Sequence, residues 1–466
     1  MRRLPLLFLV LAACGDDSAR KIADAPAGPH DSPPLIDSPP QQLQVLVTVT
    51  NPDGTPVPGV HVYFQNADSS VVGETLLDAS GNARQQMNPG GFVTAMLLAP
   101  APPGLLGAPA TRYLAFTWAG VKPGDHLLLS PPASSEPSPT IPMTITIPLD
   151  AVNAATVTEY AIQSTCSYTS TFQPPTGSGA TNTVVGVSFW DGCTAADVLV
   201  TALDSANHPV SSFSISGQPI TANGTIDYTL QTYAAAAARS YTFTNNPDVA
   251  STISFQDQYI TGRGVLYDAG STSAATEDPA TATVTMPLQP QGTLDVISAI
   301  QYTTGTIRNV FEWGTTGAYT QDWGMHLLPD FTGAPTFDTG THVASWTTAG
   351  GTATVDYSLV GLESYRGTTN TLANWGIAVP SGTQAAFPNL PTDVADINPA
   401  ATDEVTIMDV RTFKVPGGYD AARGNVFQTT TPVPTGASGT CASRTWPGRT
   451  SRRCRSGTRR PAVPTT

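Results

Sequence analysis

Residue types that could perform nucleophilic catalysis are present, but their spacing matches no catalytic arrangement. Serine is abundant, and six histidines are spread singly along the chain: His30, His61, His126, His208, His326 and His342. A nucleophilic triad needs a Ser or Cys, a His base and an orienting acid in one place. The sequence contains no G-x-S-x-G, H-E-x-x-H, C-x-x-C, Walker or dinucleotide-binding glycine motif. We therefore predict no catalytic residues, no cofactor and no metal site.

One segment imitates the start of a calcium loop. Asp78, Ser80 and Asn82 in "DASGN" would offer oxygen ligands, but Pro89 stands where the Glu of an EF-hand loop would be. The segment is therefore predicted to be a turn.

Two pairs of adjacent acids, Glu277/Asp278 and Asp403/Glu404, are candidates for glycosidase carboxylates. Such enzymes hold two carboxyl groups several Å apart across a cleft. Neighbours on a strand point to opposite faces, which favours solvated positions instead. A hydrolase with unrecognised carboxylates stays open as an alternative.

Aromatic residues are concentrated late in the chain, where Trp313, Trp323, Trp346 and Trp375 occur together. Exposed indole rings would suit contact with sugars or proteins, whereas buried ones would fill a β-sandwich core. The four residues are ligand-binding candidates, with core packing as the alternative. The binding hypothesis requires at least two of them to be exposed on one face.

The N-terminus has the order of a signal peptide. Arg2 and Arg3 precede an apolar stretch, and "LAAC" ends at Cys14. This ending resembles the bacterial lipobox, in which the Cys thiol is acylated and becomes the new N-terminus. The resemblance implies lipidation of Cys14 and attachment to a membrane through that lipid. An ordinary signal peptide with an incidental Cys is the alternative.

Export determines how the other cysteines are interpreted. In an oxidising envelope compartment, Cys166 and Cys193 are predicted to form a disulfide. Neither has another Cys or His at ligand spacing, which disfavours a metal site.

The charge distribution argues against nucleic acid as a partner. Up to Thr440 there are 14 basic and 35 acidic residues, a balance of −21, and such a body repels phosphate backbones. Charged residues are only 12% of the chain, while Thr, Ser, Gly and Pro are abundant. This composition is typical of secreted proteins built from strands and tight turns.

The first folded module begins with alternating residues. Val45, Val47 and Val49 follow Leu43 at every second position, which predicts a strand with one buried face. "NPDGTPVPG" provides a turn, and Val60, Val62 and Phe64 resume the alternation. We expect these two strands to pair as an antiparallel hairpin.

A family resemblance covers this module. The segments "NPDGTPVPGVHVYF", "LDASGNA" and "NPGGFVTA" resemble carboxypeptidase regulatory-like domains and their bacterial Ig-like relatives. The resemblance spans about residues 43–98, with closing strands in "RYLAFTWAGVKPGDHLLL". It implies a small antiparallel β-sandwich without catalytic residues of its own.

The rest of the chain divides by composition. We predict a signal peptide (1–13), a tether rich in Pro, Asp and Ser (14–42), the first β-sandwich (43–132), a linker (133–142), a second β domain (143–288), a third (289–438) and an Arg-rich tail (439–466). "MTITIPL" and "TATVTMPL" echo each other, so internal duplication of the second and third regions stays open. "YAAAAARS", residues 233–240, is expected to form one helical turn.

The tail has dense Arg and no acid. It is predicted to be disordered, either as a basic segment attracted to anionic lipid or polysaccharide or as a frameshifted end. Taken together, the sequence predicts an all-β protein of tandem antiparallel Ig-like or prealbumin-like sandwiches. Its expected place is the bacterial cell envelope, lipid-anchored at the outer membrane or cell surface. The predicted function is non-catalytic display, adhesion, or binding of a polysaccharide or envelope protein, with a hydrolase or a purely structural stalk as alternatives.

Overall fold

The computed structural model describes residues 43–51, 55–57, 59–99, 109, 111–130, 140–167, 170–175, 182–190, 193–247, 252–269, 272–274, 277–303, 306–314, 317–427 and 439–447. They belong to one compact unit that begins at Leu43. The all-β prediction is confirmed, because nearly every regular element in these ranges is a strand. The predicted signal peptide and the tether, which includes Cys14, lie outside the described residues, as do linker residues 133–139. Residues 140–142 of the predicted linker instead begin the strand Thr140–Pro148.

The first eight strands lie between Val45 and Pro148. They are β1 (Val45–Val49), β2 (His61–Gln65), β3 (Val71–Leu76), β4 (Asn82–Gln85), β5 (Gly91–Ala99), β6 (Thr111–Val121), β7 (His126–Leu129) and β8 (Thr140–Pro148).

The next twelve strands complete the predicted second region. They are β9 (Glu159–Ser164), β10 (Thr171–Gln173), β11 (Asn182–Trp190), β12 (Ala195–Leu203), β13 (Pro209–Pro219), β14 (Thr225–Asp227), β15 (Ala234–Ala235), β16 (Ala237–Thr244), β17 (Ile253–Thr261), β18 (Gly264–Asp268), β19 (Thr272–Ala274) and β20 (Ala280–Met286).

The remaining strands are β21 (Leu294–Thr303), β22 (Thr306–Trp313), β23 (Tyr319–Asp322), β24 (Asp330–Phe331), β25 (Thr336–Asp338), β26 (Val343–Ser345), β27 (Thr348–Ala349), β28 (Tyr357–Arg366), β29 (Thr371–Pro380), β30 (Gln384–Ala386), β31 (Glu404–Lys414) and β32 (Gly439–Pro447). One short helix, α1 (Gly418–Ala422), and three 3₁₀ turns (Trp323–Met325, Thr392–Ile397 and Arg423–Asn425) interrupt them. No helix in the described ranges is long and apolar enough to span a membrane.

The first sandwich forms as the alternation predicts. Val45, Val47 and Val49 are fully buried in one core with Phe64 and Trp118. One layer is the three-stranded sheet β4-β1-β7, and the facing layer is formed by β2, β3, β5 and β6. Leu43 precedes the strand and is exposed.

The predicted hairpin between the first two strands is wrong. β1 pairs with β4 and β7, whereas β2 pairs with β3 and β5. The two strands therefore lie in opposite layers of the sandwich. The buried faces were identified from alternation, but alternation carries no information about which strands are neighbours.

A second sandwich faces the sheet β11-β8-β14 against the sheet β10-β9-β12-β13-β15. Ile145, Val187, Val198 and Phe213 contribute to its core. Residues 233–240, expected to be a helical turn, instead enter β15 and β16, which pair with β13 and β20. Strand pairing outweighs the helix propensity of a short alanine run.

The largest element is a sheet of 13 strands with the order β18-β17-β21-β22-β32-β31-β28-β29-β6-β5-β2-β3, and β19 pairs with β17. The sheet β20-β16-β23 covers one part of it, and the sheet β25-β26-β30 covers another. The core of the first sandwich and the cores beneath these two small sheets thus share one layer, the large sheet.

Hydrogen bonding crosses the predicted domain boundaries. β6 from the predicted first domain pairs in parallel with β29 from the third. β17 from the second pairs with β21 from the third. The division at 133–142 and 288–289 stays a prediction, but it does not follow the sheets.

The start of the predicted disordered tail differs from expectation. Residues 439–447 form β32, which pairs with β22 on one side and β31 on the other. This stretch has no apolar alternation of its own, so its strand state depends on two neighbours distant in sequence. Residues 448–466 lie outside the described part of the chain.

Candidate functional site

The four tryptophans proposed as ligand-binding residues are interior residues. Trp313, Trp323, Trp346 and Trp375 are 7%, 1%, 4% and 2% exposed. They contribute to three separate cores, and only Trp346 and Trp375 share one. The binding hypothesis for these residues is therefore wrong, because it required exposed rings on one face. Packing large rings between two sheets is energetically more favourable than leaving them in water.

The cysteine pair is joined as predicted. Cys166 and Cys193 form a disulfide with their Cα atoms 6.2 Å apart. Both side chains pack against the core of the second sandwich.

Two carboxylates converge between β16 and the large sheet, although neither belongs to the pairs selected from the sequence. One guanidinium nitrogen of Arg239 lies 2.8 Å from Oδ2 of Asp257 and 2.5 Å from Oδ2 of Asp295. The hydroxyl group of Tyr241 donates to Asp257. Both acids are 1% exposed, so a substrate in solution does not reach them.

Burial is the main cause of a raised pKa at Asp257 in this cluster. Desolvation, followed by the hydrogen bond and charge of Asp295, raises the pKa of Asp257 to about 8, against the opposing effects of Arg239 and Tyr241. Burial beside a second carboxyl group therefore disfavours the ionised form of Asp257. The cluster is a buried polar link between β16, β17 and β21.

The acids selected from the sequence have structural surroundings. Asp403 pairs with Arg366 at 2.8 Å and is nearly buried, whereas Glu404 is exposed. Asp78 accepts backbone hydrogen bonds from Ser80 and Asn82 through Oδ1, as a turn residue does. Within the described ranges, no group of three or more His, Cys, Asp or Glu side chains is arranged to hold a metal ion.

A concave surface open to solvent lies on the small sheet β25-β26-β30. It is a groove of about 440 Å³, and it is lined by Thr336, Phe337, Asp338, Thr341, Val343, Ser345 and Gln384. We call it the polar groove.

Strand register explains why the polar side chains of β25, β26 and β30 share a face, while Phe337 points to the other face. Thr336 lies opposite Ser345, which lies opposite Gln384, so one polar side chain from each strand forms a row. Asp338 and Val343 form the next row on the same face. The groove thus presents two hydroxyls, an amide and a carboxylate within two neighbouring rows.

The opposite face of this sheet fixes the groove in place. Ala344 and Ala385 are buried, and Phe337 packs edge-on against Phe387 with ring centroids 5.7 Å apart. Phe387 in turn packs edge-on against Trp375 at 5.2 Å. The packed rings of Phe337, Phe387 and Trp375, which we call the aromatic base, lie on the face of the sheet opposite the polar row.

The carboxylate of the groove is oriented by its own turn. Oδ1 of Asp338 accepts hydrogen bonds from the backbone N–H of Gly340 at 2.7 Å and of Thr341 at 3.3 Å. These hydrogen bonds lower the pKa of Asp338, so it is ionised at neutral pH. The groove consequently offers one charged acceptor among neutral donors and acceptors.

The sequence analysis missed the polar groove. The alternation in "THVASW" and "TFD" showed that one face is apolar and the other polar, which was the available signal. Nothing in it showed that β25, β26 and β30 meet, because the last of these follows two long strands.

No protein-family model matches the chain, and no curated protein matches it. Solved structures include three similar bacterial proteins. The Bacillus anthracis TIE protein is 9% identical with a TM-score of 0.13; the match covers 60% of this chain and 49% of that protein, so the chain spans about half of its length.

A Ca²⁺-stabilised adhesin that helps an Antarctic bacterium bind ice is 10% identical with a TM-score of 0.12, covering 80% of this chain and 94% of the adhesin. A C-terminal fragment of the pilus adhesin SpaC from Lactobacillus rhamnosus GG is 10% identical with a TM-score of 0.11, covering 75% of this chain and 100% of the fragment. TM-scores this low carry no argument about this chain.

Proposed function

We propose that the protein is a non-catalytic, lipid-anchored adhesion module of the bacterial cell envelope that binds a polysaccharide in the polar groove. The observation that carries this proposal is the row formed by Thr336, Ser345 and Gln384 beside Asp338. Sugars present many hydroxyl groups, which pair with amide, hydroxyl and carboxylate side chains.

Preorganisation supports binding at this surface. The aromatic base beneath the sheet and the turn around Asp338 hold the polar groups before a ligand arrives. The free-energy cost of ordering these side chains on ligand binding is therefore smaller.

The carboxylate arrangement supports binding over hydrolysis. Asp338 is the one carboxylate among the described residues that line the groove, whereas most glycoside hydrolases use two. The converging pair Asp257 and Asp295 is buried against Arg239, away from the groove lining.

The envelope location rests on the N-terminal segment and the disulfide. The signal-peptide pattern before Cys14 predicts export and lipidation, and the Cys166–Cys193 bond suits an oxidising compartment. As part of the same proposal, the first sandwich is a carboxypeptidase regulatory-like domain.

A glycan array with neutral and acidic oligosaccharides tests the ligand class. We expect binding by the full chain that falls about fivefold in Gln384→Ala and about fivefold or more in Asp338→Ala, since each loses one hydrogen-bonding partner. The matched control Gln86→Ala removes an exposed glutamine far from the groove in sequence and should bind normally. Glycan binding that is equal in all four proteins would contradict the proposal, as would no glycan binding at all.

A further inference from the structure

Strand β11 is an open edge of the second sandwich. All nine of its residues pair with β8 in continuous register, from Asn182 opposite Pro148 to Trp190 opposite Thr140. Among the strands that the structure describes, none is hydrogen-bonded to its other side. A row of backbone N–H and C=O groups is therefore available to another strand.

This edge lacks the features that usually prevent strands from pairing. β11 contains no charged residue and no proline, and its pairing with β8 has no bulge. By contrast, β3 and β18, which end the large sheet, carry Glu74 and Asp268, and each pairs with its neighbour through a register shift.

Apolar groups are exposed beside the open edge. Val184 on β11 is 55% exposed, and Phe172 on β10, the first strand of the facing sheet, is 49% exposed. Thr183, Val185, Val187 and Phe189 point inward and are buried. The edge thus combines backbone groups that face away from β8 with exposed apolar side chains.

We propose that β11 pairs with β11 of a second copy of this chain, antiparallel about a twofold axis at Gly186. The buried faces of the two strands lie on the same side of the joined sheet only when odd-numbered residues lie opposite odd-numbered ones and even-numbered opposite even-numbered. The register centred on Gly186 satisfies this condition and overlaps the whole strand. Val184 then lies opposite Ser188 of the second copy, and Val185 lies opposite Val187 of the second copy.

The charge of the protein favours a second copy at this edge over the two ends of the large sheet, which carry Glu74 and Asp268. The chain has a net charge of −14, so two copies repel each other. A strand without charge meets itself with no like-charge pair in the interface. The pairing should therefore strengthen as salt screens the rest of the surface.

Gly186 provides a probe that leaves the single copy undisturbed. A Cβ at Gly186 meets no atom within 4 Å, and the residue is exposed. In the proposed dimer, two such side chains would face each other across the axis, with their Cβ atoms about 5 Å apart.

The first experiment measures the mass of the full chain by light scattering during gel filtration in mild detergent. We expect a dimer for the wild type and a dimer weakened about tenfold or more for Gly186→Lys, because two ammonium groups then meet. Gly186→Ala should keep the dimer. Thr225→Lys, on the far strand β14 of the same sheet, adds an equal charge in the same row and should also keep it.

Oxidation tests the register directly. In a Cys441→Ser, Cys454→Ser background, Gly186→Cys should give a covalent dimer on a non-reducing gel, and Thr225→Cys should not. A monomeric wild type at tens of micromolar, a dimer that Gly186→Lys leaves intact, or equal cross-linking by both cysteine variants would each overturn the proposal. None of these outcomes bears on the polar groove, which lies in a different sandwich.

Discussion

The indole nitrogen of Trp375 donates a hydrogen bond to the hydroxyl of Thr117, 2.8 Å away, although 258 residues separate the two along the chain. Thr117 also lies 2.8 Å from the hydroxyl of Thr94. All three residues are buried. This chain of contacts joins β5, β6 and β29 and so connects the predicted first and third domains.

Trp375→Phe should therefore destabilise the protein. The substitution removes one buried hydrogen bond and some packing, and we expect a loss of about 1–2 kcal/mol. The measurement is the urea concentration at the midpoint of unfolding, followed by circular dichroism.

Trp323→Phe is the matched control for that variant. Trp323 is equally buried, but its indole nitrogen has no hydrogen-bond partner among the described residues. Its substitution should lower the midpoint less. An equal effect of the two substitutions would show that the Trp375–Thr117 bond contributes nothing specific.

Stability should depend on pH through Asp257. Its pKa is raised to about 8 in the folded protein from an ordinary value near 3.8. Between these values the folded state binds more protons than the unfolded state, so this group makes stability fall as pH rises from about 4 to about 8. Asp257→Asn, which cannot titrate, should have a flatter dependence of Tm on pH between 5 and 8 than the wild type.

A surface acid serves as the control for Asp257. Asp338 is exposed, and its pKa is lowered, so Asp338→Asn should keep the wild-type slope in this pH range. If Asp257→Asn also keeps the wild-type slope, the raised pKa assigned to Asp257 is wrong.

Loss of the disulfide should destabilise the second sandwich. Cys166 and Cys193 are 27 residues apart, and closing such a loop stabilises a fold by about 3–4 kcal/mol in the chain-entropy model. The double variant Cys166→Ala, Cys193→Ala should unfold at a lower temperature, and dithiothreitol should lower the Tm of the wild type to a similar value. A Cys441→Ser variant should respond to dithiothreitol as the wild type does.

Lipidation is predicted at Cys14. In a bacterial host fed an alkyne fatty acid, the wild type should incorporate the label and remain in the membrane fraction, because a buried acyl chain supplies the attachment. Cys14→Ser should lose both properties, while Cys454→Ser retains both. Labelling that survives Cys14→Ser would exclude this residue as the acylated one.

The sequence by itself determined the class of fold and the buried faces. Val45, Val47 and Val49 lie in the core because a strand alternates its side chains with a period of two, and this rule is local. The pairing of Cys166 with Cys193 was predictable for a similarly simple reason: a chain with five cysteines, predicted to be exported, leaves few combinations.

Only the tertiary structure decided which strands are neighbours. Strand pairing joins backbone groups that all residues share, so β6 could meet β29, and β32 could enter between β22 and β31, without any mark in their side-chain patterns. The same limit applied to the candidate sites. The sequence does not distinguish a buried aromatic residue such as Trp375 from an exposed one. The polar groove exists only because strand register aligns Thr336, Ser345 and Gln384 from three separate strands.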